Sequence, residues 1–254
     1  MSNIFIIAKN TFNVEVRDKI IYAVFGFAIL YFFLMEFMSQ LVLGELPMVK
    51  SFALLGVYFF NVIVALFLGT TSFYKDIERK IVYFILSKPV SRSQFIIGKF
   101  LGLCAVILFS SVVMGIDYMF LIYVVSHTID FLGLLAIAMQ FLEMSLFIAF
   151  AMFVTTFSSS ILSIVFTSAV FFIGHVVSSL LSAASSMGIG GFKLILIKLM
   201  YYILPNLEKF DIRNIAIHPV QLPFLNFFFA FCYALFYIAL LLFSAILIFK
   251  KKEL

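Results

Sequence analysis

The chain has 254 residues, 65% of them hydrophobic and 11% charged, with 36 Phe and no Trp. Soluble domains carry about a quarter charged residues, so a water-soluble globular domain is excluded. The net charge of +5 sits in short basic clusters between long apolar runs, a pattern of membrane topology rather than of nucleic-acid binding.

A spanning helix needs about 20 apolar residues, which leaves room for about six spans and no large domain in water. The expected architecture is all-α and polytopic: one transmembrane domain over 1–254, with six helices at residues 20–42, 51–73, 97–125, 131–157, 159–181 and 224–249. Residues 1–19 alternate charge with apolar side chains and show no small-residue cleavage site, so no cleaved leader is expected. They read instead as an in-plane entry helix with Phe5, Ala8, Phe12 and Val16 on one face.

Basic residues near span ends are retained in the cytoplasm. An inside N-terminus collects Lys9, Arg17, Lys19, Lys75, Arg79, Lys80, Lys88, Arg92, Lys99 and Lys250 to Lys252, leaving Lys50, Lys193, Lys198, Lys209 and Arg213 outside. The expectation is a multi-pass protein of the cytoplasmic (inner) membrane with both termini cytoplasmic.

Between the second and third spans, residues 74–99 hold six of the basic side chains. Charged residues 75–80 lead into Ile81 to Leu86, too short to span and in need of a partner surface, and Ser87-Lys88-Pro89 breaks that helix. Ser91 and Gln94 have the spacing of a capping box, so the next helix is predicted to start at Ser91 and run into the third span. Basic residues here could also hold this face against anionic lipid.

The fifth span carries Ser160, Ser163, Thr167, Gly174, Ser178 and Ser182 on one helix face, with His175 beside it. Small residues at such spacing let helices approach closely. This face is a candidate translocation path or dimer interface; close packing inside one bundle accounts for it equally well. Asp117, Glu143 and His175 are ionisable residues inside spans, where charge is expensive. They would form an ion relay if they faced one another; otherwise each reaches the interface or bonds a neighbouring helix, for instance through Gln140.

The outer segment, 182–223, contains an apolar stretch at 189–204 interrupted by Lys193 and Lys198. Burying both lysines at a helix centre would cost about 2.5 to 3.5 kcal/mol each. An interfacial or shallow re-entrant helix, introduced by Gly188, Gly190 and Gly191 and stopped by Pro205, is expected instead of a seventh span.

No nucleotide site is expected in the chain. A phosphate-cradling loop needs Gly, four residues, then Gly-Lys and Ser or Thr, whereas Gly98-Lys99 is preceded by Ser93 at the first position and followed by Phe100. His127, His175 and His218 lack metal-ligand spacing, and Cys104 and Cys232 lie inside apolar runs, so no metal, hydrolase or disulfide chemistry is indicated.

The run Glu78-Arg79-Lys80, Leu86-Ser87-Lys88-Pro89-Val90-Ser91-Arg92 and Gly98-Lys99 resembles the signature loop of ABC-2 type permeases, the membrane subunits of ATP-binding-cassette transporters. Ala8-Lys9-Asn10-Thr11-Phe12, with Glu15, Arg17 and Asp18, is similar to that family's amphipathic entry helix. Leu204-Pro205-Asn206-Leu207-Glu208-Lys209-Phe210-Asp211 resembles the outer segment of the branch that includes the permease of nitrous-oxide-reductase maturation systems.

The resemblance implies a coupling helix in 74–99 that docks into a separate ABC ATPase, with Asp76, Glu78, Arg79, Lys80, Leu86 and Arg92 as coupling residues. It implies a homodimer of six-span units with two ATPase subunits, ATP and magnesium being held by those subunits and no cofactor by this chain, and spans two and five flanking the central path. The chain would export a substrate or transmit ATP-driven motion to an extracytoplasmic partner protein. Two other classes stay open: an ion-coupled secondary transporter, for which Asp117 and Glu143 would be essential, and a membrane assembly protein that moves nothing itself.

Overall fold

The computed structural model describes residues 3–17, 21–41, 45–78, 90–187, 191–217 and 224–251. Helices account for almost all of them, and no strand occurs among the described residues. In chain order they are α1 (Asn3–Glu15), α2 (Ile21–Leu41), α3 (Leu46–Phe67), α4 (Phe73–Glu78), α5 (Arg92–Ser126), α6 (Phe131–Thr155), α7 (Ser160–Ser186), α8 (Phe192–Ile203), α9 (Arg213–Ile217) and α10 (Phe224–Lys251). A π-helical turn, Leu68–Ser72, joins α3 to α4 without a break.

Five helices among the described residues are long and apolar enough to cross a membrane: Leu46–Glu78, Arg92–Ser126, Phe131–Thr155, Ser160–Ser186 and Leu225–Lys250. A shorter apolar stretch, Val24–Gln40 within α2, accompanies them. Several of the helices outrun the apolar windows read from the sequence, while α2 and α6 keep within them. The second expected span, 51–73, is part of a helix that continues to Glu78. The fifth, expected at 159–181, runs on to Ser186, because Ser182, Ser185 and Ser186 return their hydroxyls to helix carbonyls at Ser178, Ser182 and Ala183 rather than opening a loop.

Local chemistry accounts for the ends. Ser91 Oγ accepts from the Gln94 amide at 3.2 Å while Gln94 Oε1 accepts from the Ser91 amide at 3.0 Å, so the predicted capping box opens α5. His127 closes α5 in the left-handed region at φ 54°. Asp130 caps α6 by accepting from the Gly133 amide at 3.2 Å.

α6 is the central post, packed by α3, α5, α7 and α10. α10 buries Ala230, Ala234, Ile238, Leu241, Ala245 and Phe249 in the bundle and leaves Phe229, Phe236 and Phe243 exposed, the stripe of a helix with one face on protein and one on lipid. At the far end, away from the termini, Lys50 of α3 lies 2.9 Å from Asp130, and the Tyr118 hydroxyl of α5 donates to the same carboxylate at 2.7 Å. Burial pushes the Asp130 carboxyl up, but the bonds from Lys50, Tyr118 and the Gly133 amide outweigh it and hold the group below its ordinary value.

α1 packs along the start of α5 with a face rotated from the expected one and shared with it in part. Thr11 and Glu15 are buried, Ile7, Ala8 and Phe12 are half-buried, and Phe5 is 57% exposed. The reason lies in the partner. A Cβ on Gly98 would stand 2.8 Å from the Ile7 Cβ, and one on Gly102 2.5 Å from the Thr11 Cβ, so two glycines one turn apart let the helices touch.

Candidate functional site

Three helix ends meet at the described residues that flank 79–89. Phe73 of α4, Phe95 of α5 and Phe249 of α10 form a triangle of rings with centroids 6.3, 6.3 and 6.4 Å apart, and all three are buried. Aromatic contacts at this spacing add to the stability from burial. Arg92, the first residue of α5, donates to the carbonyls of Phe249 at 2.8 Å and Lys250 at 3.2 Å, so a cation sits on the negative end of α10.

Beside the triangle lies an ionic knot. Lys99, only 3% exposed, places Nζ 2.7 Å from Asp76 and 3.7 Å from Glu15, and the Ser72 hydroxyl bonds the Glu15 carboxylate. One ammonium thus joins α1, α4 and α5. The π-helical turn brings Ser72 to this knot, with Thr70 Oγ1 bonded back to Leu66 O at 2.7 Å. π-turns of this kind interrupt a regular helix and often occur at functional places. The arrangement makes the two roots of the 79–89 segment one rigid base, continuous with α3, α5 and α10.

Among the expected coupling residues, Asp76 and Arg92 are thus engaged inside the chain, and Glu78 is exposed at the end of α4. Arg79, Lys80, Leu86 and the Lys88-Pro89 turn lie outside the described residues. The sequence marks Glu15, Ser72 and Lys99 only as polar residues near span ends; nothing in their spacing foretells that they meet.

A second polar group lies towards the far end, between α3, α6 and α7. Glu143 is fully buried; its Oε1 accepts from the Tyr58 hydroxyl at 2.6 Å and lies 3.1 Å from His175 Nε2, which is 2.7 Å from the same hydroxyl. Arg213 stacks on Tyr58 at 4.4 Å and forms a two-pronged pair with Asp211, 2.8 and 2.6 Å. Burial pushes the Asp211 carboxyl up, yet the guanidinium holds it below its ordinary value. Gln140 is not the partner of Glu143: its side-chain atoms make no hydrogen bond among the described residues. Asp117 takes no part in this group, and its buried Oδ2 bonds nothing among the described residues.

The small-residue face of α7 divides. Ser160 stands in the first turn, and Ser163 and Thr167 are fully buried with hydroxyls that bond nothing among the described residues. Higher up, the chain's own 205–207 segment covers the face. A Cβ on Gly174 would meet the Pro205 carbonyl at 2.8 Å, and Asn206 Nδ2 donates to Ser178 Oγ at 2.6 Å. Tyr233 of α10 closes this contact by accepting from the Asn206 amide at 2.8 Å. Ser182 is exposed. Leu207 and Phe210, 1% and 0% exposed, anchor the segment.

The family model described as "ABC-2 family transporter protein" matches residues 5–254. No curated protein matches the chain significantly.

Proposed function

The chain belongs to the ABC-2 family of transporter proteins, membrane permeases that work with an ABC ATPase, and from that premise we propose that it receives ATP-driven motion through residues 79–89. Two copies, each of six spans with both termini in the cytoplasm, pair with two ATPase subunits that hold ATP and magnesium. Closure of the ATPases draws the two coupling segments together, and the spans exchange between inward- and outward-facing arrangements.

The observation that carries this reading is the base beneath that segment. Lys99 clamped to Asp76 and Glu15, with the Phe73, Phe95 and Phe249 rings alongside, leaves little slack between the segment and α3, α5 and α10. A force delivered to Glu78 or Arg92 is therefore passed to α3, α5 and α10. Asp76 and Arg92 serve by holding the base; Glu78, exposed, and Arg79, Lys80 and Leu86 are the residues offered to the ATPase. The resemblance of 204–211 to the maturation branch favours transmission to an extracytoplasmic partner over simple export.

Purification from native membranes in mild detergent tests the reading: an ABC ATPase is expected with the chain, and its absence overturns the proposal. Leu86→Asp and Glu78→Ala are expected to lower ATPase recovery while the permease stays in the membrane. Undiminished recovery in both would move the docking surface elsewhere.

A further inference from the structure

The 12-residue helix α8, Phe192–Ile203, is about 18 Å long at 1.5 Å per residue, well short of the roughly 30 Å hydrocarbon layer. None of its residues is buried. At 100° per residue Leu194, Ile197 and Tyr201 fall on one side; these are the half-buried ones, and α7 is the helix against which α8 packs. The opposite side presents Phe192, Ile195, Leu196, Leu199 and Ile203, between 41% and 73% exposed. Lys193 and Lys198, both exposed, fall on the two borders between these faces.

Several features identify what covers the exposed face. Its protein side is already taken by α7, so the apolar side points away from the bundle. The helix sequence FKLILIKLMYYI carries two lysines and no carboxylate, complementary to a layer of phosphates. A protein groove closing over this face would trap a lysine at each rim, whereas in a lipid surface the two long side chains rise from the flanks to the headgroups while the helix stays below. Chain geometry agrees: Gly191 at φ +67°, with open space around it, turns the chain into the helix, and Leu204-Pro205 turns it out.

We propose that α8 is a phospholipid-binding helix, lying in the plane of the leaflet at the far end, with its Leu199 face in the acyl layer and Lys193 and Lys198 on lipid phosphates. Through Leu204 it leads into the segment fixed to Gly174, Ser178 and Tyr233, so headgroups that hold α8 also hold the far end of α7. The proposal rests on the membrane location alone, and neither its failure nor that of the ATPase coupling decides the other.

The absence of Trp from the chain makes a single introduced indole an unambiguous reporter. Leu199→Trp, and separately Tyr202→Trp at a side chain 75% exposed whose ring contact with Tyr201 an indole can keep, are placed in the full-length protein in bilayers of phosphatidylcholine with and without phosphatidylglycerol. The probes are lipids brominated near the headgroup end of the acyl chain, lipids brominated near the midplane, and aqueous iodide. Shallow bromines should quench at least about twofold more than deep ones, because in-plane helices sit about 5 to 10 Å into the boundary, and iodide should quench little. Phosphatidylglycerol should increase the shallow quenching, and Lys193→Gln with Lys198→Gln should abolish that increase. Iodide quenching without bromine quenching, protection from both, or stronger quenching by deep bromines would each overturn the in-plane placement. A phosphatidylglycerol response unchanged in the lysine variant would overturn the phosphate contacts.

Discussion

The Lys99 ammonium stands 2.7 Å from the Asp76 carboxylate, joining the first turns of α5 to the short helix that ends where the 79–89 segment begins. With Glu15 3.7 Å away on the other side, the lysine is, among the described residues, the one cation in a knot of two carboxylates. Removing one partner of a buried ion pair leaves an uncompensated charge, a loss of about 3 to 5 kcal/mol.

Lys99→Met should therefore lower the unfolding temperature in detergent by several degrees, and Lys99→Arg should recover part of it. Asp76→Asn should cost less, since Glu15 remains to balance the lysine. An unchanged unfolding temperature in Lys99→Met would show that the knot contributes nothing to the base.

Gly102→Val should lift α1 off α5. The Thr11 Cβ lies 2.5 Å from where the first new carbon would go, and overpacking of this kind costs about 1 to 3 kcal/mol. Limited proteolysis of the purified protein should cut within 3–15 in the variant and spare it in the wild type; equal protection would mean that α1 stays on α5 despite the larger side chain.

Asp130 links stability to acid. Its folded value is lowered, so it stabilises the folded state at pH above the unfolded value of about 3.9 and loses that contribution as pH falls through the still lower folded value. Unfolding temperature should drop over this acid window, and Asp130→Asn should both lower stability near neutrality and flatten the acid drop. A parallel pH profile in the variant would assign the acid sensitivity to other carboxyls.

Ser178→Cys combined with Asn206→Cys, in a Cys232→Ser background because Cys232 is exposed, should oxidise within one chain. The native side chains are 2.6 Å apart. The product should migrate as a monomer; a covalent dimer would return this part of α7 to an interface between copies. Gly174→Leu should accordingly destabilise the protomer itself, because Pro205 and Leu207 occupy the space.

Sidedness can be read with an impermeant thiol reagent on intact cells. A cysteine at exposed Ser185 should react and one at Ser87 should not. The reverse pattern would invert the topology.

What the sequence by itself determined is whatever acts over a few residues. The composition and the long apolar runs make a bundle of membrane helices, the Ser91 and Gln94 pair starts α5, and Gly191 and Leu204-Pro205 bound α8. Each of these signals lies within one or two helical turns of the feature it sets. The end of the fifth span lay beyond the expected 181, where Ser182, Ser185 and Ser186 bond their hydroxyls back to helix carbonyls. Tertiary structure alone decided the partners of the costly polar groups. Glu143 meets Tyr58 across 85 positions and Tyr58 meets His175 across 117; Lys99 finds Asp76 and Glu15 from two other helices. A buried charge must be satisfied by something, which the sequence states plainly, but which residue satisfies it depends on how the helices turn and cross. That in turn is fixed by contacts such as Gly98 and Gly102 against α1, whose two sides are far apart in the chain.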